Sequence, residues 1–275
     1  MRARGPLVSA LGVLLATVGY APAGPAAAAT AIDAMRTELR LGPPVDAALS
    51  YLRAGDPRGP LIILVHGTPG SASGWSDYLV TPPAGTEVIA IDRPGFGASG
   101  PDAAVPSLSM QAAAVAALLP TNGRTVVLVG HSLGGPVVAR VAADHPDRVS
   151  ALVLLAASLD PALEAIHPLQ HVGAWWPVRA MLPRSLRNAN SELMALEPEL
   201  VALGALLPTI TAPTVIVHGT ADDLVPVANV PYMQARLSGA RCLSTVLLED
   251  RNHFLPWNSE DVVRDAIARA LEPVC

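Results

Sequence analysis

Short apolar runs alternate with helix-patterned segments along most of this 275-residue chain. Six runs stand out: Leu61–Gly67, Thr86–Asp92, Thr125–Ser132, Ala151–Ser158, Pro213–Gly219 and Ser244–Asp250. Each is continuously apolar rather than alternating, the pattern of a strand covered on both faces in a parallel sheet. Helical segments are predicted over Ser109–Leu119, Leu133–Asp144, Val227–Leu237 and Ser259–Leu271. In the last of these Val262, Val263, Ala266, Ile267 and Ala270 recur at helical spacing, with Asn258 and Ser259 as candidate N-caps. The segment Leu49–Gly55 predicts an early antiparallel hairpin strand. Strand–helix alternation of this kind predicts an α/β fold with a mostly parallel, twisted sheet and helices on both faces.

One interval breaks the rhythm. From Leu159 to Pro208 no strand is predicted, yet the segment carries Trp175, Trp176 and Met181 among many leucines. Some fifty residues is too long for a plain loop in a compact domain, so a helical insertion is expected. Its apolar side chains would either cover a site as a lid, with Trp175, Trp176 and Met181 walling a pocket, or pack the insertion onto the core.

The N-terminus follows another rule. Arg2 and Arg4 precede an apolar stretch from about Leu7 to Val18, and small residues with A-x-A spacing follow. This is the layout of a secretory signal peptide, expected over residues 1–30 ahead of a single domain over 31–275. The stretch is short for a membrane span, which needs about 20 residues. Export to the periplasm, cell envelope or medium is therefore expected, with membrane association only if the segment stays uncleaved. Export would allow the two cysteines, Cys242 and Cys275, to pair as a disulfide; two free thiols is the other reading.

Composition narrows the function. The net charge is −5, and all 18 basic residues are arginines with no basic stripe, which argues against nucleic acid. No phosphate-binding G-x-x-x-x-G-K-[ST] pattern and no metal-ligand spacing occurs in the sequence, so no cofactor is expected. Oligomeric state is not legible.

The chemistry concentrates at Gly130-His131-Ser132-Leu133-Gly134, where the run Val126–Val129 meets an apolar helix. A G-x-S-x-G between strand and helix is a nucleophile elbow: the serine sits on a strained turn, and its neighbours two residues away must be tiny. The helix that follows points its N-terminus at the serine and favours developing negative charge there. A serine needs a base oriented by an acid. Asp222 and Asp223 follow one strand-like run and His253 follows the last, in the chain order serine, acid, histidine. His66, His131 and His218, each beside a turn glycine, are expected to make structural hydrogen bonds.

With these residues in hand, the chain resembles the serine α/β-hydrolases of the esterase and lipase-like superfamily over about residues 49–271. Gly219, Asp222, Val225 and Pro226 match the family's G-x-x-D-x-x-V-P, and that resemblance selects Asp222 over Asp223. Asn252-His253-Phe254 and the loop Asp92–Gly100 resemble family segments as well. His66-Gly67-Thr68-Pro69-Gly70 resembles H-G-x-P-G, which implies that the N–H groups of Thr68 and Leu133 form the oxyanion hole, with the Thr68 side chain able to face substrate. The resemblance implies hydrolysis of a small-molecule carboxylic ester carrying a hydrophobic group. A C–C bond hydrolase acting on a diketone uses the same triad and stays open. An epoxide hydrolase fits less well, because Ser132 stands where those enzymes have aspartate and residues 159–208 contain no tyrosine. A non-catalytic binding protein on the same scaffold would be expected to lack a triad member.

Overall fold

The computed structural model describes residues 32–272. The segment expected to be a signal peptide and Cys275, with its expected pairing to Cys242, lie outside them. Eight strands form one sheet: β1 Arg36–Arg40, β2 Ala48–Gly55, β3 Leu61–Val65, β4 Glu87–Ile91, β5 Val126–His131, β6 Ala151–Leu155, β7 Thr214–Gly219 and β8 Leu243–Leu248. Their spatial order is β1-β2-β4-β3-β5-β6-β7-β8. The pairs β1–β2 and β2–β4 are antiparallel; from β4 to β8 every pair is parallel. All six apolar runs become strands, and the hairpin strand at residue 49 is found.

The continuous runs are explained by the two faces of the sheet. Side chains alternate along a strand. Ile63, Ile91, Leu128, Leu154 and Ile216 accordingly enter one core, and Leu64, Ala90, Val129, Val153 and Val217 the other. Helix α1 (Ser76–Val80) packs on the second face. Helices α2 (Leu108–Ala116) and α3 (Gly134–Asp144) cover the first.

The interval between β6 and β7 is helical, as expected. It holds α4 (Pro168–Ala174), α5 (Trp176–Met181) and the long α6 (Arg184–Gly204). Leu196, Leu200 and Leu203 of α6 join the first core. Helices α7 (Asn229–Arg236), α8 (Leu255–Asn258) and α9 (Glu260–Leu271) complete the chain, with Val263, Ala266, Ile267 and Ala270 of α9 on the second face. Ser259 is the residue before α9, but its hydroxyl bonds Asn258 Oδ1 rather than capping a helix N–H. Among the described residues no helix is long and apolar enough to cross a membrane.

Candidate active site

The site forms at the C-terminal ends of the parallel strands. Ser132 follows β5 directly and adopts φ +55°, a left-handed conformation that a side chain rarely takes. Its backbone is held from both sides: its N–H donates to Leu155 O at 3.0 Å, and its carbonyl accepts from Gly135 N–H at 2.9 Å. The flanking glycines are a steric necessity. A Cβ at Gly130 would lie 2.4 Å from Gly134 O, and one at Gly134 would lie 2.3 Å from Val65 O. The serine thus stands at the N-terminus of α3, where the helix favours negative charge.

The other two residues arrive on neighbouring strand ends. Asp222 follows β7, and His253 lies between β8 and α8. His253 Nδ1 donates to Asp222 Oδ2 at 2.8 Å. The other carboxylate oxygen, Oδ1, accepts from the N–H groups of Leu224 (2.9 Å) and Val225 (2.8 Å), so the acid is fixed in orientation. Burial pushes the Asp222 carboxyl up, but the hydrogen bond and charge of His253 and the Val225 N–H outweigh it, and Asp222 is held below the usual carboxylate range. Asp223 is exposed on the same loop.

Ser132 and His253 line one cavity of about 1180 Å³, together with Thr68 and Leu133. Among the described residues no hydrogen bond joins Ser132 Oγ to His253; in ligand-free sites such bonds are often long and tighten when substrate binds. Gly67 approaches the serine closely, since a Cβ there would lie 2.7 Å from Ser132 Cβ. The loop that carries Thr68 therefore runs beside Ser132. Thr68 itself lines the cavity, and its side chain is tied to the insertion. Its hydroxyl donates to Glu192 Oε2 at 2.7 Å.

The three glycine-flanked histidines make structural hydrogen bonds. His131 Nε2 meets the carbonyl of His253 at 3.0 Å, His218 Nε2 meets that of Val225 at 2.9 Å, and His66 Nε2 accepts from Arg93 N–H at 3.0 Å. Burial keeps all three neutral: it lowers His131 to about 3 and depresses His66 and His218 as well.

The residues expected to wall an acyl pocket lie elsewhere. Trp175, Trp176 and Met181 are 60%, 75% and 85% exposed on the outer surface of α4–α5 and are absent from the cavity lining. The pocket-wall expectation for these three is therefore corrected. The insertion contributes to the cavity through Leu186, Leu193 and Leu196 of α6 instead, because α6 is the helix of the insertion that packs into the core. Ser158 and Glu164 also line the cavity, and Ser158 Oγ donates to Glu164 Oε1. Burial raises the Glu164 carboxyl above its usual range. No local sequence pattern marks either residue, nor Arg93 and Glu192, which form a buried ion pair beside the Thr68 loop. Among the described residues no cluster of histidine, cysteine, aspartate or glutamate could hold a metal ion.

Comparison with known proteins agrees with this geometry. The alpha/beta hydrolase fold family matches residues 60–190. A 2-hydroxy-6-oxononadienedioate/2-hydroxy-6-oxononatrienedioate hydrolase of Pseudomonas sp is 27% identical over 207 residues, 60% of this chain and 72% of that protein. A pimeloyl-[acyl-carrier protein] methyl ester esterase of Aeromonas hydrophila is 27% identical over 232 residues, 71% of this chain and 89% of that protein. Among solved structures, the epoxide hydrolase CorEH superposes with a TM-score of 0.70 at 20% identity, covering 86% of this chain and 98% of that one; at that identity the likeness shows the fold alone. Sheet order and relatives converge: the chain has the α/β-hydrolase fold, is similar to the serine hydrolases of that superfamily, and is an enzyme acting as a hydrolase.

Proposed function

We propose that the protein hydrolyses carboxylic esters of small to medium hydrophobic substrates through a Ser132–His253–Asp222 triad. The observation that carries this reading is the pairing of a serine at φ +55° with a buried His253–Asp222 hydrogen bond of 2.8 Å on one cavity. His253 takes the proton of Ser132 as Oγ attacks the ester carbonyl. Asp222 fixes the histidine tautomer and stabilises its cationic form. The N–H groups of Thr68 and Leu133 receive the oxyanion, helped by the N-terminus of α3. His253 then protonates the leaving alcohol, and water repeats the cycle to release the acid from the serine ester. The leucines of α6 lining the cavity support a hydrophobic acyl or alcohol group.

A second reading, hydrolysis of a C–C bond in a diketone, is favoured by the likeness to the dienedioate hydrolase. One experiment tests the first and separates the two. The protein is labelled with a fluorophosphonate and assayed on p-nitrophenyl esters from acetate to octanoate. Labelling that disappears in Ser132→Ala, with turnover of at least one ester, supports esterase action. Labelling without ester turnover, together with consumption of a 2-hydroxy-6-oxo-dienoate, would replace it with C–C cleavage. We also propose export, which Arg2, Arg4 and the apolar stretch after them support.

A further inference from the structure

A buried ion pair ties the Thr68 loop to helix α6, and the triad itself does not require it. Arg93, in the loop just after β4, and Glu192, on α6, are 99 residues apart in sequence and both buried. Arg93 Nη1 donates to Glu192 Oε1 at 2.8 Å and Nη2 to Oε2 at 3.0 Å. The same guanidinium donates to the carbonyls of His66 and Gly67, each at 2.9 Å. Glu192 accepts two further bonds, from Thr68 Oγ1 at 2.7 Å and from Gln111 Nε2 at 3.0 Å.

The target of these bonds is one peptide plane. The carbonyl of Gly67 and the N–H of Thr68 belong to the same planar unit and point in opposite directions. Gly67 O is held by Arg93 Nη2 and by His66 Nδ1, the latter at 2.7 Å. Holding that oxygen fixes the direction of the Thr68 N–H. The Thr68 side chain is held separately by Glu192, which fixes the residue beyond the plane. A buried charge pair is no stronger than well-packed apolar side chains as a mere staple. What it adds here is orientation.

We infer that Glu192 is a positioning residue for the oxyanion donor at Thr68; this rests on the ester-hydrolysis reading above. Through Arg93 it sets the Gly67–Thr68 peptide plane, and through the Thr68 hydroxyl it pins the residue. Leu193 and Leu196, one and four residues further along α6, line the cavity. The wall that contacts the substrate's apolar group and the strut that aims the donor are therefore one helix.

The test uses three variants of the full chain. Thr68→Val removes only the hydroxyl and leaves the N–H and the ion pair. Glu192→Gln removes the charge and places an amide NH₂ against donors. Thr68→Ser is the conservative rescue. Positioning predicts that Thr68→Val and Glu192→Gln each lower kcat by about ten- to a hundredfold with KM changed by no more than about twofold, since a donor displaced by a fraction of an ångström loses transition-state stabilisation selectively. The double variant should be no slower than the slower single, and Thr68→Ser should return most of the rate. Fluorophosphonate labelling of Ser132 should slow in parallel. A Thr68→Val enzyme with wild-type kcat, multiplicative losses in the double variant, or a Glu192→Gln protein that melts earlier while keeping its kcat would each overturn the inference. If Glu192→Gln does not fold, Thr68→Val decides. A wild-type protein that fails to label overturns the esterase reading itself, whereas normal labelling with unaffected variants overturns the positioning role alone.

Discussion

Asp222 and Asp223 are adjacent in sequence and opposite in situation: Asp222 is buried and accepts from His253 Nδ1 at 2.8 Å, while Asp223 is exposed to solvent. A one-residue shift in the loop after β7 separates the proposed triad acid from a surface charge. Ser132→Ala, His253→Ala and Asp222→Asn are each expected to lower ester hydrolysis by roughly 10⁴-fold or more, without additivity in combination. Asp223→Asn should stay within about threefold of wild type, as surface changes away from a site usually do. Steady-state kinetics on one p-nitrophenyl ester checks all four, and the reverse ranking of the two aspartates would exchange their roles.

The placement of the apolar insertion residues yields a second expectation. Trp176→Ala should leave the acyl-length profile unchanged, because Trp176 is outside the cavity lining. Leu193→Ala or Leu186→Ala should shift the preferred p-nitrophenyl ester toward longer acyl chains by enlarging the pocket. A profile that moves with Trp176 and not with the leucines would return the outer face of α4–α5 to the substrate.

Acid stability follows from the buried histidines. His66, His131 and His218 have folded pKa values depressed by burial, with His131 at about 3. The unfolded chain therefore binds protons that the native state refuses. Their neutral burial is fully compatible with folding above the ordinary histidine value of about 6.5, and stability declines as pH falls below it. For His131 that decline continues to about pH 3. Asp222 adds loss in the same direction below the ordinary carboxylate pKa of about 3.9, since its folded pKa is also depressed. Urea titrations between pH 7 and pH 4 should show the midpoint falling steadily. A midpoint independent of pH across that range would contradict the burial argument.

The elbow gives a stability prediction. Gly130→Ala would put a methyl 2.4 Å from Gly134 O, a backbone atom that cannot swing aside. A loss of about 3 kcal/mol or more is expected, the range of severe overpacking. Calorimetry measures it directly, and a variant melting within a degree or two of wild type would show that the turn can relax.

Export is checked by the N-terminus of the mature protein, expected between about Gly24 and Ile32, the region of small residues where A-x-A spacing occurs. Mass spectrometry of the extracytoplasmic form reads it. An intact Met1 found only in membranes would replace secretion with anchoring.

How much of this was legible in the chain depends on the range of the interaction concerned. The strands of the parallel sheet and the elbow at Ser132 are written in contiguous residues, so periodicity and a five-residue pattern were enough. β1 escaped because Arg36–Arg40 is a short, mostly polar edge strand with only one aliphatic residue. Asp222 and His253 could be placed from strand ends and family resemblance, and the structure brings them together. Glu192 left no local trace: it sits mid-helix in the insertion, and its meaning comes from partners at positions 68, 93 and 111. The tryptophans misled for a related reason. Apolar composition marks a helix as packing against something, but not which of its faces does so.

The insertion joins β6 to β7, and these strands are nearest neighbours in the sheet. Both of its ends therefore leave from one edge of a rigid platform, only a strand spacing apart. A segment anchored that way behaves like a cartridge. Its helices could be exchanged for others of different length with no change in strand register and no displacement of Ser132, Asp222 or His253. Besides the leucines that pack α6 into the core, such an exchange would have to preserve the carboxylate at Glu192, which reaches through to the Thr68 loop beside Ser132.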